Sequence, residues 1–182
     1  MFGYHGRCLR VDLSHGESSW ISLSEKLLRR FIGGVGLATY LMHRESRPGL
    51  DPLDAEALLI FALSPLVGTP LTTSAKFAVV AKSPLTDRLN DALSSSHFAI
   101  AAKKAGCDAL VIVGACTQPS LLIIDDGKID LQPADDLWGL PADEASSRLA
   151  ARLGPRFQTA VIGPAGEHLV RYATISHDNR HA

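Results

Sequence analysis

The chain has 182 residues, of which 46% are hydrophobic, and its 18 basic and 19 acidic side chains leave a formal net charge of −1 at pH 7. A chain of this length buries roughly 70% of the surface its unfolded form exposes, so one large domain or two small ones are open to it. Near-neutral charge excludes the broad basic footprint that a nucleic acid or an anionic membrane surface requires, and the longest apolar run, ALLIFAL, is too short to span a bilayer.

The opening MFGYHGRCLRVDL lacks a basic stretch followed by a long apolar run, so no targeting segment is read and a soluble, cytoplasmic protein is expected. Its CLRVDL, together with SWISLS, alternates as strands do, and the SHGE between them supplies a turn, which predicts a hairpin. Ser24 then caps a short helix running through Phe31, and Leu37, Tyr40 and Leu41 mark one face of a second helix beyond the glycines of FIGGVGLA. ALLIFALSP reads as a strand buried on both faces, and KFAVVAKSP as another after the turn-rich VGTPLTTS. SSSHFAIAAKKAG predicts a helix, with serines at its start, Lys103 and Lys104 in its last turn and Gly106 as its stop.

DALVIVG is read as a strand, and SLLIIDDGKIDLQ as a hairpin turning at Asp126 and Gly127. PADEASSRLAARLG has the early proline, early acids, late arginines and final glycine of a helix. FQTAVIGP and LVRYATIS are predicted as the last two strands, the second running into the polar loop HDNRHA.

This order repeats. LRVDL matches LVIVG, IFALSP matches TAVIGP, and KFA matches RYA, with Lys76 and Arg171 opening the equivalent strands. The expected fold is therefore α+β: a duplicated strand-strand-helix-strand-strand unit forming two packed β-sheets with outer helices. One domain over 1–182 is expected, its copies spanning about 1–106 and 107–182. The second copy stops where the first continues into its serine-capped helix, so an element of that copy is missing.

Few local motifs carry chemistry. The three cysteines, Cys8, Cys107 and Cys116, are odd in number and have no CxxC spacing, which argues for apolar core residues rather than a disulfide framework or metal cluster. FIGGVGLA contains a GxG, but a helical stretch precedes it where a dinucleotide fingerprint requires a strand. His177 and His181 are four apart without an evident third ligand. No catalytic group and no metal ligand is assigned. Residues 94–96, three serines at a predicted helix start, suit either capping or an anion, and Lys76 and Arg171 suit either a shared cationic surface or solvation.

GRCLRVDL, FIGGVGLA, AKSPLT, KKAGCDALVIVG, DDLWG and IGPAGEHLVRYA, in that order, resemble the N-terminal domain of the tungsten-containing aldehyde ferredoxin oxidoreductases, from Gly3 to Ala182. The resemblance implies a duplicated, two-sheet base on which a tungsten (or molybdenum) bis-pyranopterin lies, with a bridging magnesium between its phosphates. It implies oxidation of an aldehyde to a carboxylic acid, with electrons passing through a [4Fe–4S] cluster, held in domains missing here, to ferredoxin.

By position, the cofactor-binding candidates are Lys76, where the family commonly has an arginine; Ser94, Ser95 and Ser96, where it usually has an asparagine and paired glycines; and Arg180, His181 and Ala182, in a loop whose main chain meets the phosphates. The expected partners are the remaining domains or a complementing subunit, together with self-association of the uncovered face. The chain alone is expected to be inactive. The rival expectation is a cofactor-free homologue serving as a protein-binding scaffold.

Overall fold

In the computed structural model, which describes residues 3–178, the N-terminal hairpin forms as its alternation predicts: β1 (Arg7–Asp12) pairs antiparallel with β2 (Glu17–Ser22). Ser24 caps α1 (Glu25–Phe31) by accepting from the Leu27 N–H at 3.3 Å, and α2 (Gly34–Glu45) follows at once. β3 (Leu59–Leu63), β4 (Lys76–Lys82) and β5 (Leu89–Ser95) form an antiparallel meander that leads into α3 (His97–Lys104). β6 (Ala109–Val113) then returns to the middle of the sheet, parallel to β1 and antiparallel to β3. The sheet order is β2-β1-β6-β3-β4-β5.

The four middle strands of this sheet, β1, β6, β3 and β4, are covered on both faces, and the pleat decides what covers each. Ile60 and Ala62 of β3, Ala78 and Val80 of β4, and Ala109 and Val111 of β6 face Leu28 of α1 and Leu37, Ala38 and Leu41 of α2. Each fully buried leucine there contributes about 2 kcal/mol of apolar burial. The alternate residues Phe61, Leu63 and Phe77 meet Ala99 and Phe98 of α3 on the other face. Beside them, Leu9 and Val11 of β1 lie under the ladder of β7 (Ser120–Asp125) and β8 (Lys128–Pro133) through Leu122, Ile124 and Ile129. The protein is thus α+β, with packed sheets and a few helices, as its sequence order predicts.

The last third departs from expectation. α4 (Ala142–Leu153) forms, but the two strands predicted after it shrink to β9 (Ala160–Val161) and β10 (Ser176–His177), paired antiparallel. Between them, Pro164 at its first position starts the short helix α5 (Pro164–Glu167), and the Glu167 carboxylate accepts from the Gly139 N–H at 2.9 Å. Residues 169–175 therefore run as turns and coil: Leu169 takes φ 55° and Tyr172 is 76% exposed. β5 was the opposite case. Its LNDALSS is poor in β-branched and aromatic residues, yet it pairs with β4 from Lys82↔Leu89 to Lys76↔Ser95. Among the described residues, no helix is long and apolar enough to cross a membrane.

Candidate functional site

One end of the six-stranded sheet holds Lys76 and Ser94, Ser95 and Ser96 of the sequence-derived candidates. There β3 ends, β4 begins and β5 ends, with the Ser64 N–H donating to the Lys76 carbonyl at 3.1 Å. Lys76 stands opposite Ser95 across the ladder, and Phe77 opposite Ser94. Residues opposite one another share a face and successive residues alternate, so Lys76 and Ser95 occupy one face while Ser94 turns to the other. Lys76 is exposed and Ser95 half-buried.

The three serines therefore do not form one cluster at a helix start. The β4–β5 ladder continues through Ser95, and the Ser96 N–H donates to the Ala75 carbonyl at 3.2 Å before the chain turns into α3. Only Ser96 caps the helix, accepting from the Phe98 N–H at 3.1 Å. Ser94 points inward, its Oγ 2.5 Å from Nε2 of the buried His177, whose ring meets Phe77 edge-on at 5.2 Å. Asp178 joins the same corner: its Oδ2 accepts from the Phe98 N–H at 2.8 Å. A carboxylate there is favoured by the partial positive charge of the helix N-terminus.

Arg171 does not mirror Lys76. It lies in a turn rather than opening a strand, and its Nη1 donates to the Pro84 carbonyl at 3.0 Å. Arg180, His181 and Ala182, and hence the pairing of His177 with His181, lie outside the described residues.

The glycines of FIGGVGLA belong to this end of the sheet as packing elements. A Cβ at Gly33 would stand 2.6 Å from the Leu63 carbonyl oxygen, and one at Gly36 would stand 2.6 Å from that of Phe31. They let the α1–α2 junction approach the end of β3 and fold back on itself. Sequence reasoning read them as a helix stop and start and missed this close approach, which a one-dimensional pattern does not carry.

At the opposite end of the sheet, a cleft of about 190 Å³ is bordered by Arg10, Asp12, His15, Glu45, Arg47 and Glu56. Its polar side chains pair among themselves: Arg10 with Glu45 at 3.3 Å, His15 with Asp12 at 3.1 Å, and Arg47 with Glu56 at 2.6 Å. The hydrogen bond from the His15 ring, aided by the N–H groups of His15 and Ser14, holds the Asp12 carboxyl below its ordinary pKa. These side chains are held chiefly by contacts with one another. Among the described residues, no three His, Cys, Asp or Glu side chains gather as a metal-holding group.

The comparisons with known proteins agree in direction. Residues 8–182 match the family model described as "Aldehyde ferredoxin oxidoreductase, N-terminal domain". The chain is 38% identical over 183 residues to the tungsten-containing aldehyde ferredoxin oxidoreductase of Pyrococcus furiosus, and equally to that of Thermococcus kodakarensis, covering 100% of this chain and 30% of each relative. It is also 30% identical over 198 residues to the aliphatic sulfonate oxidoreductase, WOR-like subunit, of Pyrococcus furiosus, where it covers 31% of that protein. Among solved structures, the active site complex BamBC of benzoyl coenzyme A reductase, in complex with 1,5 dienoyl-CoA, superposes with a TM-score of 0.92 and 30% identity, covering 97% of this chain and 27% of that one. The chain thus spans less than a third of the length of the relatives it matches.

Proposed function

The chain belongs to the family of aldehyde ferredoxin oxidoreductase N-terminal domains, and on that premise we propose that it forms the base on which a tungsten (or molybdenum) bis-pyranopterin rests in a larger oxidoreductase. The observation that carries the reading is the placement of Lys76 and Ser95 on one rung and one face, beside the turn into α3. An exposed ammonium and a hydroxyl on one face form a donor set suited to phosphate oxygens rather than to a metal ion. In this reading Lys76 neutralises a cofactor phosphate and Ser95 donates to it, while Arg180, His181 and Ala182 add contacts from the chain beyond Asp178. A magnesium ion, as the resemblance implies, would add to the charge balance of those phosphates.

The cofactor, when bound, supplies the two-electron redox centre, and the domain contributes its seating and charge balance. Ser94 holds no ligand in this scheme because its hydroxyl is turned to His177. The relatives carry different substrates in their names, aldehydes in one case and aliphatic sulfonates in another. In this reading the shared domain seats the cofactor, and parts of the enzyme outside this chain select the substrate.

Those parts, in further domains or a companion subunit, also hold the [4Fe–4S] cluster and meet ferredoxin, so the chain alone does not turn over aldehyde. Its copies self-associate through the apolar surface left by β5, where Leu89 is 46% and Leu93 72% exposed. The whole assembly works in the cytoplasm.

The test is to produce the chain with tungstate or molybdate in a host that makes the pterin, then measure bound metal and pterin fluorescence. Metal and pterin that co-purify with the wild type and are lost in Lys76→Glu support the reading. A metal-free, pterin-free protein that still captures the remaining domains would instead show a scaffold. Aldehyde-dependent reduction of an artificial acceptor by the purified chain would refute its inactivity alone.

A further inference from the structure

The turn from β5 into α3 is held from outside by two consecutive side chains. His177 grips it before the bend, through Ser94 Oγ at 2.5 Å. Asp178 grips it after the bend, through the Phe98 N–H at 2.8 Å. Both come from the β9–β10 unit rather than from the six-stranded sheet.

They are themselves well anchored. The Asp178 N–H donates to the Thr159 carbonyl at 3.1 Å, and the Thr159 hydroxyl lies 2.8 Å from the hydroxyl of buried Ser146 in α4. The His177 ring is 5% exposed and packs against Phe77. Asp178 adopts φ 53°, a left-handed conformation that aspartate tolerates better than most residues. Backbone in that region persists where the surroundings fix it.

We propose that His177 and Asp178 are positioning residues that clamp the β5–α3 turn, setting the direction in which Ser95 presents its hydroxyl; this rests on the reading of Lys76 and Ser95 as phosphate-facing. A hydroxyl cap satisfies one of the four N–H groups left open at a helix start. Here the Phe98 N–H is bonded by both Ser96 and Asp178, and the residue ahead of Ser95 is fixed by a buried imidazole. The clamp preorganises the turn, so a ligand does not have to order it on binding.

The experiment measures amide hydrogen exchange at Phe98 and pyrophosphate binding, by backbone NMR, in the wild type and in Asp178→Ala, Asp178→Asn and His177→Gln. Asn keeps an oxygen that accepts from Phe98 without the charge. The clamp predicts that Asp178→Ala speeds Phe98 exchange and weakens pyrophosphate binding, each by about tenfold, and that Asp178→Asn restores most of both. His177→Gln, which keeps a polar partner for Ser94, gives a smaller change of the same sign. Unchanged Phe98 exchange in Asp178→Ala overturns the clamp, and so does equal or tighter pyrophosphate binding, since the carboxylate would then only repel the anion. If the wild type binds no pyrophosphate near Ser95, the phosphate reading fails, and the exchange measurement alone decides the clamp.

Discussion

Lys103 and Asp108 form a buried ion pair, Nζ to Oδ1 at 2.7 Å, with side chains 12% and 2% exposed. The carboxylate also accepts from the N–H groups of His5 and Gly6, at 3.1 and 2.7 Å, and the ammonium reaches the Gly3 carbonyl at 2.9 Å. One charge pair thereby ties the N-terminal segment to the end of α3 and the start of β6. Removing one member of such a pair leaves the other charged and buried. Asp108→Ala is expected to cost about 3–5 kcal/mol in denaturant unfolding, and an effect under about 1 kcal/mol would contradict this account.

The thiols give a pH prediction. Burial pushes Cys8 from the ordinary 9.0 to about 12, with Glu45 adding to the rise, and pushes Cys107 to about 11, aided by Asp108. Both raised values favour the neutral thiol in the folded state. Their contribution to stability is full below pH 9.0, the unfolded value, and is lost as pH rises through the folded values of about 11 and 12. Chemical denaturation between pH 8 and 10.5 should show a falling midpoint that flattens when both residues are replaced by alanine. At pH 8, mass spectrometry after iodoacetamide should find Cys116, the half-buried thiol, alkylated first.

Gly33 and Gly36 test the packing role of the GGVG stretch. Each alanine variant places a methyl carbon 2.6 Å from a backbone carbonyl oxygen, and thermal unfolding should report a loss of about 2 kcal/mol for each. A variant as stable as the wild type would mean that the α1–α2 junction moves freely, contrary to its packing against β3.

Leu93→Lys tests the exposed edge. A lysine on an edge strand discourages strand-to-strand association, so sedimentation should show self-association weakened by about tenfold, with the thermal midpoint unchanged. Equal association in the variant would place the contact elsewhere.

Lys76→Ala should reduce cofactor occupancy by about tenfold, the worth of a charge-assisted hydrogen bond, while Lys76→Arg retains it through the guanidinium fork. Metal analysis of protein from the same host separates these outcomes. Equal occupancy in all three proteins would remove Lys76 from the site.

The central sheet was legible in the sequence because its strands carry strong apolar patterns: ALLIFAL and DALVIVG could bury both faces only as interior strands. β5 was hidden because its stability comes from pairing along β4 rather than from its own residues. The strand expected around Tyr172 failed for the reverse reason. Its alternation is three residues long, and the helix and turns from Pro164 to Leu169 leave it without a partner at that register. Lys76 and the serines were found as residue types, but the alternation that separates Ser94 from Ser95 depends on the strand that was missed. The contacts of His177 and Asp178 join positions 83 and 80 residues apart, and no local pattern announces them.

The place of β6 between β1 and β3 bears on how the polypeptide acquires its shape as it leaves the ribosome. The first 95 residues hold two antiparallel groups, β1–β2 and β3–β4–β5, that share no ladder until β6 is inserted. Both groups must wait, with apolar edges open, while roughly a hundred residues of intervening chain are closed into a loop, an entropic delay that slows assembly and exposes the nascent protein to misassociation. Insertion of β6, rather than completion of either early hairpin, is therefore the contact that joins the two groups into one sheet.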